Sequence, residues 1–378
     1  MPAIKDIRVI PLAYELGAGK AYGSSRGQTP RRVCGLVELE TSDGVVGIGE
    51  AWGDGRITRA YLDAIRGHYI GRDVFDHELV WPLVQAKHYH MGIQNQLVAC
   101  VSGIDIAAKD AIGKILNLPL CKLLGGKARD KIPVYASGGY VTDDPTNQLD
   151  RQLERVADRG YSAYKIKIGL SIASDIERCA LARRIIGSSA QLFVDINGNY
   201  TADLVLASMR AVASSDIAFV EEPLPPQDFD GYEFLQGRIG VPVAVGEAHY
   251  TVHDFDRLAR PRRCDILQPD LTLCGGLQQG RAIAMLAQLH NLRLSPHVWG
   301  GAVGLAAALH YMAALPATPH GDVDPAPWIL EHDVGDNGLR DALLTEPLAA
   351  RDGFIAVPDG PGLGVTIDSA GLKRLRAD

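Results

Sequence analysis

The chain has no paired cysteines to staple it. Its six, Cys34, Cys100, Cys121, Cys179, Cys264 and Cys274, are scattered over 378 residues without a CxxC spacing. That pattern indicates neither a zinc ribbon nor a disulfide framework, and the cysteines read as small buried hydrophobes in a reducing compartment. A basic excess is missing too: 38 Lys and Arg stand against 45 Asp and Glu, a formal net charge of −7, so the electrostatic footprint of a nucleic-acid binder is absent. No apolar run is long enough to span a bilayer. The opening MPAIKDIRVIPLAYEL alternates apolar and polar residues instead of joining a basic flank to a continuous apolar core, so no signal peptide is expected. These absences predict a cytoplasmic globular protein with no nucleic-acid or membrane partner.

What is present is a series of short runs rich in Val, Ile, Leu and Phe, each closing on a titratable residue. In order they are Lys165 and Lys167 in YKIKIG, Asp195 in LFVDIN, Glu221 in AFVEEP, Glu247 in VAVGEA, Asp270 in ILQPDL, His297 in RLSPHV and Glu331 in WILEHD. Such runs read as strands buried on both faces, and the stretches between them hold one helix and two loops. Chemistry at the end of strand after strand is the pattern of a parallel (β/α)8 TIM barrel, whose site lies at the C-terminal rim. IPVYAS, residues 132–137, supplies the first strand and the lysine pair lies on the second. Asp195, Glu221, Glu247, Asp270, His297 and Glu331 then end the third to the eighth, far apart in sequence but convergent in space.

The first 130 residues read differently. Residues 4–16 and 33–52 alternate as strands do, and Thr41-Ser42-Asp43-Gly44 supplies a turn between VCGLVELE and VVGIGEAW, which predicts an antiparallel hairpin. From Ser102, SGIDIAAKDAIGKILN places Ile104, Ala107, Ala108, Ala111, Ile112, Ile115 and Leu116 on one helical face, with Asp105, Lys109 and Lys114 off it. Strands followed by helices without βαβ alternation predict an α+β capping domain over 1–130, the barrel over 131–340, and a return segment over 341–378 packed on the capping domain. The glycine-rich stretch Gly17–Pro30 reads as a mobile lid over the site or as an inert insertion.

Neighbouring parallel strands lie about 4.8 Å apart, so Asp195, Glu221 and Glu247 would repel one another unless a cation sat between them. Taken singly, each could pair with an arginine or cap a helix. Together, with water or substrate oxygens, they suit Mg2+; zinc favours nitrogen and sulfur ligands, and the first strand, VYASGG, lacks the HxH of a zinc barrel hydrolase. Lys165 and Lys167 are two apart on one strand and leave the same face. Their mutual repulsion and burial predict that at least one is a neutral amine, as a general base must be. Asp270 beside His297 would fix the imidazole tautomer and raise its basicity, making a second acid/base group. Two proton carriers flanking a metal point to removal of the proton next to a carboxylate, with the enediolate charge shared by the metal, a cationic Lys165 and a protonated Glu331. A non-catalytic, metal-stabilised binding module would leave both proton carriers unexplained.

The KIK pair, VDING, VEEP, VGEA, LQPD, SPHVWGG and WILE segments together resemble the enolase superfamily, in particular its mandelate racemase subgroup. GIDIAAKDAIGK with the following LLGG is similar to that family's capping domain, and VPDGPGLGV to its C-terminal return. The resemblance implies an enolase-like modified barrel with Mg2+ on Asp195, Glu221 and Glu247. It implies Lys167 as the base on one face and the His297/Asp270 dyad on the other, Lys165 and Glu331 at the substrate carboxylate, and Asn197 near the metal-bound substrate oxygens. Asp270 stands where the muconate lactonizing and dipeptide epimerase branches place a lysine, which argues against both. Around PHVWGG and PDGPGLG the chain is similar to acid-sugar enzymes, the galactarolactone cycloisomerases included. The implied activity is α-proton abstraction followed by β-elimination, in an acid-sugar dehydratase or lactone cycloisomerase. Racemisation or epimerisation of a 2-hydroxy acid by Lys167 and His297 is the alternative. The implied partner is a small carboxylate, and the implied assembly a homo-oligomer. Capping loops choose the substrate in that family, which makes Lys20, Arg26, Arg31, Trp52, Asp54 and Arg56 candidates for substrate contact. His88 and His90 in KHYHMG are placed on a capping helix without an assigned role.

Overall fold

A computed structural model describes every residue except 18–19, 158, 317–327 and 378; residues 18–19 of the glycine-rich stretch therefore lie outside the described residues. β1 (Ile4–Glu15) is followed by two three-residue strands, β2 (Tyr22–Ser24) and β3 (Gly27–Thr29), which pair as a separate hairpin. β4 (Arg31–Thr41) and β5 (Val46–Trp52) complete an antiparallel sheet in the order β1-β4-β5. The turn between β4 and β5 closes through Gly44 at φ +86°, a left-handed conformation that glycine adopts without steric cost.

Against this sheet lies the helix Gln96–Leu116, started by the Asn95 side chain, which accepts from the Leu97 N–H. The approach is close because β5 carries glycines where the helix touches it. A Cβ on Gly47 would stand 2.0 Å from the Ala107 carbonyl oxygen, and one on Gly49 2.0 Å from that of Gly103. The helix is buried on more than the single face expected from its periodicity, since Asp105 and Lys109 are also buried. They remain affordable there as part of an ion-pair group: Lys109 Nζ meets both Asp105 and, at 2.6 Å, Glu78, and His77 stands 3.3 Å from Asp105.

The rest of the chain winds eight parallel strands into a curled sheet. They are β6 (Lys131–Ser137), β7 (Ala163–Lys167), β8 (Gln191–Asp195), β9 (Ile217–Glu221), β10 (Val243–Val245), β11 (Ile266–Leu267), β12 (Arg293–Leu294) and β13 (Leu330–Asp333). The order runs β12-β11-β10-β9-β8-β7-β6-β13, so the last strand lies beside the first. β14 (Phe354–Ala356) adds to β6 antiparallel, and Arg376 bridges to Leu12 of β1. Inside the curl, Tyr135, Ala163, Phe193, Phe219, Ala244 and Ile266 form one apolar cluster. Phe193 and Phe219 stack at 3.9 Å between centroids, with Tyr135 edge-on to Phe193 at 5.2 Å. This is the packed interior a small barrel needs, and it plugs the space beneath the rim. No helix among the described residues is long and apolar enough to cross a membrane.

Candidate active site

Side chains alternate along a strand, so residues two beyond the plug point to the same side as the plug. Lys165 and Lys167 follow Ala163, Asp195 follows Phe193, and Glu221 follows Phe219, all on the inner face and all at the C-terminal end. Register brings them together: Lys167 lies opposite Asp195, and Asp195 opposite Glu221. Lys167 Nζ is 2.5 Å from Asp195 Oδ2; Lys165 Nζ contacts Glu221 Oε1 and lies 2.8 Å from Glu331 Oε1 and 3.7 Å from Asp195 Oδ2. Asn197, at φ +51°, turns its backbone N–H onto Asp195 Oδ1 at 2.8 Å. Across the rim, His297 Nδ1 lies 2.7 Å from Asp270 Oδ2, and the Thr272 N–H and hydroxyl donate to Asp270 Oδ1 at 2.7 and 2.6 Å. His297 Nε2 faces Glu247 Oε2 at 3.4 Å and Glu331 Oε2 at 3.7 Å. Ser137 donates to Glu331 at 2.6 Å and Gln268 to Glu221 at 2.6 Å.

The protonation pattern departs from the sequence expectation. Burial works against the ammonium form of Lys167, but Asp195 more than offsets it and its pKa stands above the ordinary lysine value; Lys165, held by Glu221 and Glu331, is raised further. A neutral lysine was expected from repulsion within the pair, and the carboxylates outweigh that repulsion. Glu331 was expected to carry a proton, yet Lys165 and His297 overcome its burial and pull it down to about 2. His297 rises to about 10 despite burial, because Glu247, Glu331 and Asp270 surround it. Burial and neighbouring carboxylates push Glu221 up to about 8, and Glu222 well above the usual range.

Six carboxylates, of Asp195, Glu221, Glu222, Glu247, Asp270 and Glu331, therefore face three basic groups, Lys165, Lys167 and His297, in a buried rim. Asp195, Glu221 and Glu247 each bring one oxygen within 4.8 Å of the others, and Glu247 Oε2 and Asn197 Oδ1 are buried without a hydrogen-bond partner. An all-oxygen donor set with surplus negative charge and orphaned acceptors fits a hard divalent cation. The other close group among the described residues, His77, Glu78 and Asp105, is already met by Lys109.

A cavity of about 270 Å3 opens onto this rim, bordered by Lys167, Asn197, Glu247 and His297. Its far wall is aromatic: Trp52, Tyr22, Tyr140 and Trp299, with Trp52 edge-on to His297 at 5.6 Å between centroids. Instead of a structureless loop, the β2–β3 hairpin covers the cavity. It is strapped down by Ser25 Oγ on the Ile196 carbonyl at 2.6 Å, by Arg26 Nε on the Asn197 carbonyl, and by the Val141 N–H on the Gly23 carbonyl at 2.9 Å. Of the substrate-contact candidates, Trp52 and Arg26 border the cavity. Arg56 turns back to pair with Asp54, the cap of the helix Gly55–Ile65, and stays exposed; Lys20 lines a neighbouring cavity of about 550 Å3. Arg31 also faces Asp54, at 4.0 Å. His88 pairs with His68 at 3.0 Å, away from the rim.

A further polar group lies behind the aromatic wall, and no local sequence pattern marks it. Arg32 is buried, its guanidinium 4.4 Å from the ring centroids of both Tyr22 and Trp299, with Nη1 3.0 Å from Asp333 Oδ2. Tyr140 donates to Asp333 at 2.7 Å and accepts from the Trp299 indole at 2.9 Å. Trp299 stood in the SPHVWGG segment and Glu222 in VEEP, so both were visible without a role.

Residues 148–371 match the model for an enolase C-terminal domain-like family, and residues 23–125 that for the mandelate racemase / muconate lactonizing enzyme N-terminal domain. D-galactarolactone cycloisomerase of Agrobacterium fabrum is 37% identical over 92% of both chains, and arabinonate dehydratase of Saccharolobus solfataricus 32% identical over 96% of both. The 3,6-anhydro-D-galactonate cycloisomerase of Zobellia galactanivorans superposes with a TM-score of 0.88 at 31% identity, covering all of both chains. A racemase of Streptomyces coelicolor with bound magnesium superposes at 0.87 with 28% identity, over 99% of this chain and 100% of its own. The chain thus belongs to the enolase superfamily, in its mandelate racemase-like group.

Proposed function

We propose that the protein is a Mg2+-dependent lyase or cycloisomerase that removes the α-proton of an acid sugar or its lactone and then expels the β-oxygen substituent. One observation carries this reading: two proton carriers from different strands, Lys167 and His297, border one cavity together with Asn197 and Glu247. Asp195, Glu221 and Glu247 would hold the cation, which supplies Lewis-acid stabilisation of the negative charge on the substrate carboxylate.

The side chains do the remainder. The cationic Lys165, oriented by Glu331 at 2.8 Å, holds the carboxylate end of the substrate. Lys167 takes the α-proton at Nζ once its contact with Asp195 is relieved, leaving an enediolate that the cationic Lys165 stabilises. His297, oriented by Asp270 through Nδ1, delivers a proton from Nε2 to the departing oxygen; a hydroxyl leaving group gives dehydration, a lactone oxygen cycloisomerisation. The β2–β3 hairpin and aromatic wall exclude water and meet the carbon face of the sugar. The same two carriers would support racemisation if the proton returned to the α-carbon from the opposite side.

The test is to incubate the Mg2+-loaded enzyme with a library of aldonates, aldarates and their lactones. A 2-keto acid or an isomerised lactone product supports the reading. Exchange of the α-hydrogen in D2O without net elimination would move the assignment to racemase or epimerase, and silence across the library would remove it.

A further inference from the structure

The strand that brings Trp52 to the cavity also carries a carboxylate that no step above uses. Glu50 of β5 is 1% exposed and reaches across from the capping sheet to the start of the helix Ala302–Ala314. Its Oε1 accepts from the Gly301 N–H at 2.6 Å and its Oε2 from the Gly304 N–H at 2.9 Å. Those two amides are the N-cap and the third helical position. In a capping box they are satisfied by a Ser or Thr at the first and a Glu at the second. This helix has glycine at both and no side-chain cap of its own; one carboxylate from the other domain serves both amides.

The glycines are explained by that carboxylate and not by backbone strain. Gly301 has φ −98°, which any residue adopts. A Cβ on Gly300 would lie 2.3 Å from Glu50 Oε1, one on Gly301 2.9 Å from Oε2, and one on Gly304 3.3 Å from Oε1 and 2.9 Å from Thr272 Cγ2. Three glycines thus clear the space a single buried carboxylate occupies, and the helix N-terminus supplies the positive end that such a charge requires.

What Glu50 grips lies directly behind the dyad. The capped turn follows His297 and Trp299 by a few residues. Two residues after Glu50, the Trp52 N–H holds the Thr272 carbonyl at 3.0 Å, and Thr272 in turn donates to Asp270. The end of β5 therefore supports both halves of the pair, Asp270 through Thr272 and His297 through the 297–301 turn. We propose that Glu50 is a positioning residue for the Asp270/His297 pair, by which the capping domain sets the placement of the imidazole and of Trp299. The role of the pair rests on the function proposed above; the placement does not.

The experiment compares full-length, Mg2+-loaded wild type with Glu50→Gln, which keeps shape but replaces one acceptor by a donor, and with Gly301→Ala, which crowds the carboxylate from the other side. Both variants should lower kcat about 10- to 100-fold, as loss of an orienting partner does, with KM and Mg2+ affinity within threefold of wild type. Amide hydrogen exchange over residues 297–305 should rise at least tenfold, while that over 195–197 and 221–222 stays unchanged. An unchanged exchange pattern, or a retained kcat, overturns the proposal. So does a loss of kcat matched by an equal loss of Mg2+ affinity, because Glu50 would then serve only the fold. If wild type turns over no acid sugar, that counts against the proposed reaction, and the exchange measurement still decides on Glu50.

Discussion

Removing the guanidinium of Arg32 should cost more than its position behind the active-site wall suggests. Arg32 and Asp333 are each about 2–3% exposed and pair at 3.0 Å, with the guanidinium between Tyr22 and Trp299. Breaking one side of such a buried pair costs about 3–5 kcal/mol, because the other charge is left desolvated. Arg340 Nη1 stays 3.4 Å from Asp333 Oδ2, so Arg32→Met belongs at the lower end, about 3 kcal/mol. Asp333→Asn strands the cation instead and should cost a similar amount. The double variant leaves no unpaired charge; its cost should be no greater than that of either single change, an interaction energy of about 3 kcal/mol. Urea unfolding at neutral pH measures all four proteins, with the comparison valid where the m-value is unchanged. Because Trp299 hangs on Tyr140 and Tyr140 on Asp333, the single variants should also raise KM more than they lower kcat. Additive costs, with an interaction below about 0.5 kcal/mol, would refute the reasoning.

The same carboxylate gives a pH dependence. Despite burial, Arg32 and Arg340 hold Asp333 at about 2, against about 3.9 in an unfolded chain. Its contribution, about 2–3 kcal/mol, is therefore complete above roughly pH 5 and lost as pH falls through 2; acid titration of Asp333→Asn should show a shallower loss of stability than wild type. Lys167→Ala and His297→Asn should each reduce turnover about 10²–10⁴-fold while binding Mg2+ within a few-fold of wild type by calorimetry. Arg56→Ala should leave KM within twofold of wild type in the substrate assay, since Arg56 faces Asp54 and not the cavity. Mg2+ at 100 times its dissociation constant should stabilise the fold by about 2.7 kcal/mol, seen as a rise in Tm that EDTA reverses and that Glu221→Gln abolishes.

The barrel was legible because its strands advertise themselves twice, by apolar runs at βα spacing and by a titratable residue where each run stops. The period of two then aligns Lys165, Lys167, Asp195 and Glu221 above the Phe193/Phe219 plug. Other features depend on contacts that no local pattern encodes. Arg32 and Asp333 meet across 301 residues, and Glu50 and Gly301 across 251. The β2 and β3 strands have only three residues each, too short for alternation to register. Asp105 and Lys109 lie off the apolar helical face in the sequence pattern, and a sequence window does not show the Glu78 and His77 that meet them in the interior. Protonation was the least readable property. It follows from the sum of charges after convergence, and two lysines that repel each other as a pair become firmly cationic once Asp195, Glu221, Glu247 and Glu331 stand around them.

With a divalent cation on Asp195, Glu221 and Glu247, Lys167 should remove the proton next to the substrate carboxylate and His297 should deliver one to the departing oxygen. Proton NMR in D2O follows it directly, with wild type, substrates from the acid-sugar library, and Mg2+ or EDTA. The expected result is loss of the α-hydrogen signal, by exchange or by elimination, that requires Mg2+ and disappears in the Lys167→Ala, His297→Asn double variant. Loss of that signal at an undiminished rate in EDTA, or in the double variant, would contradict it.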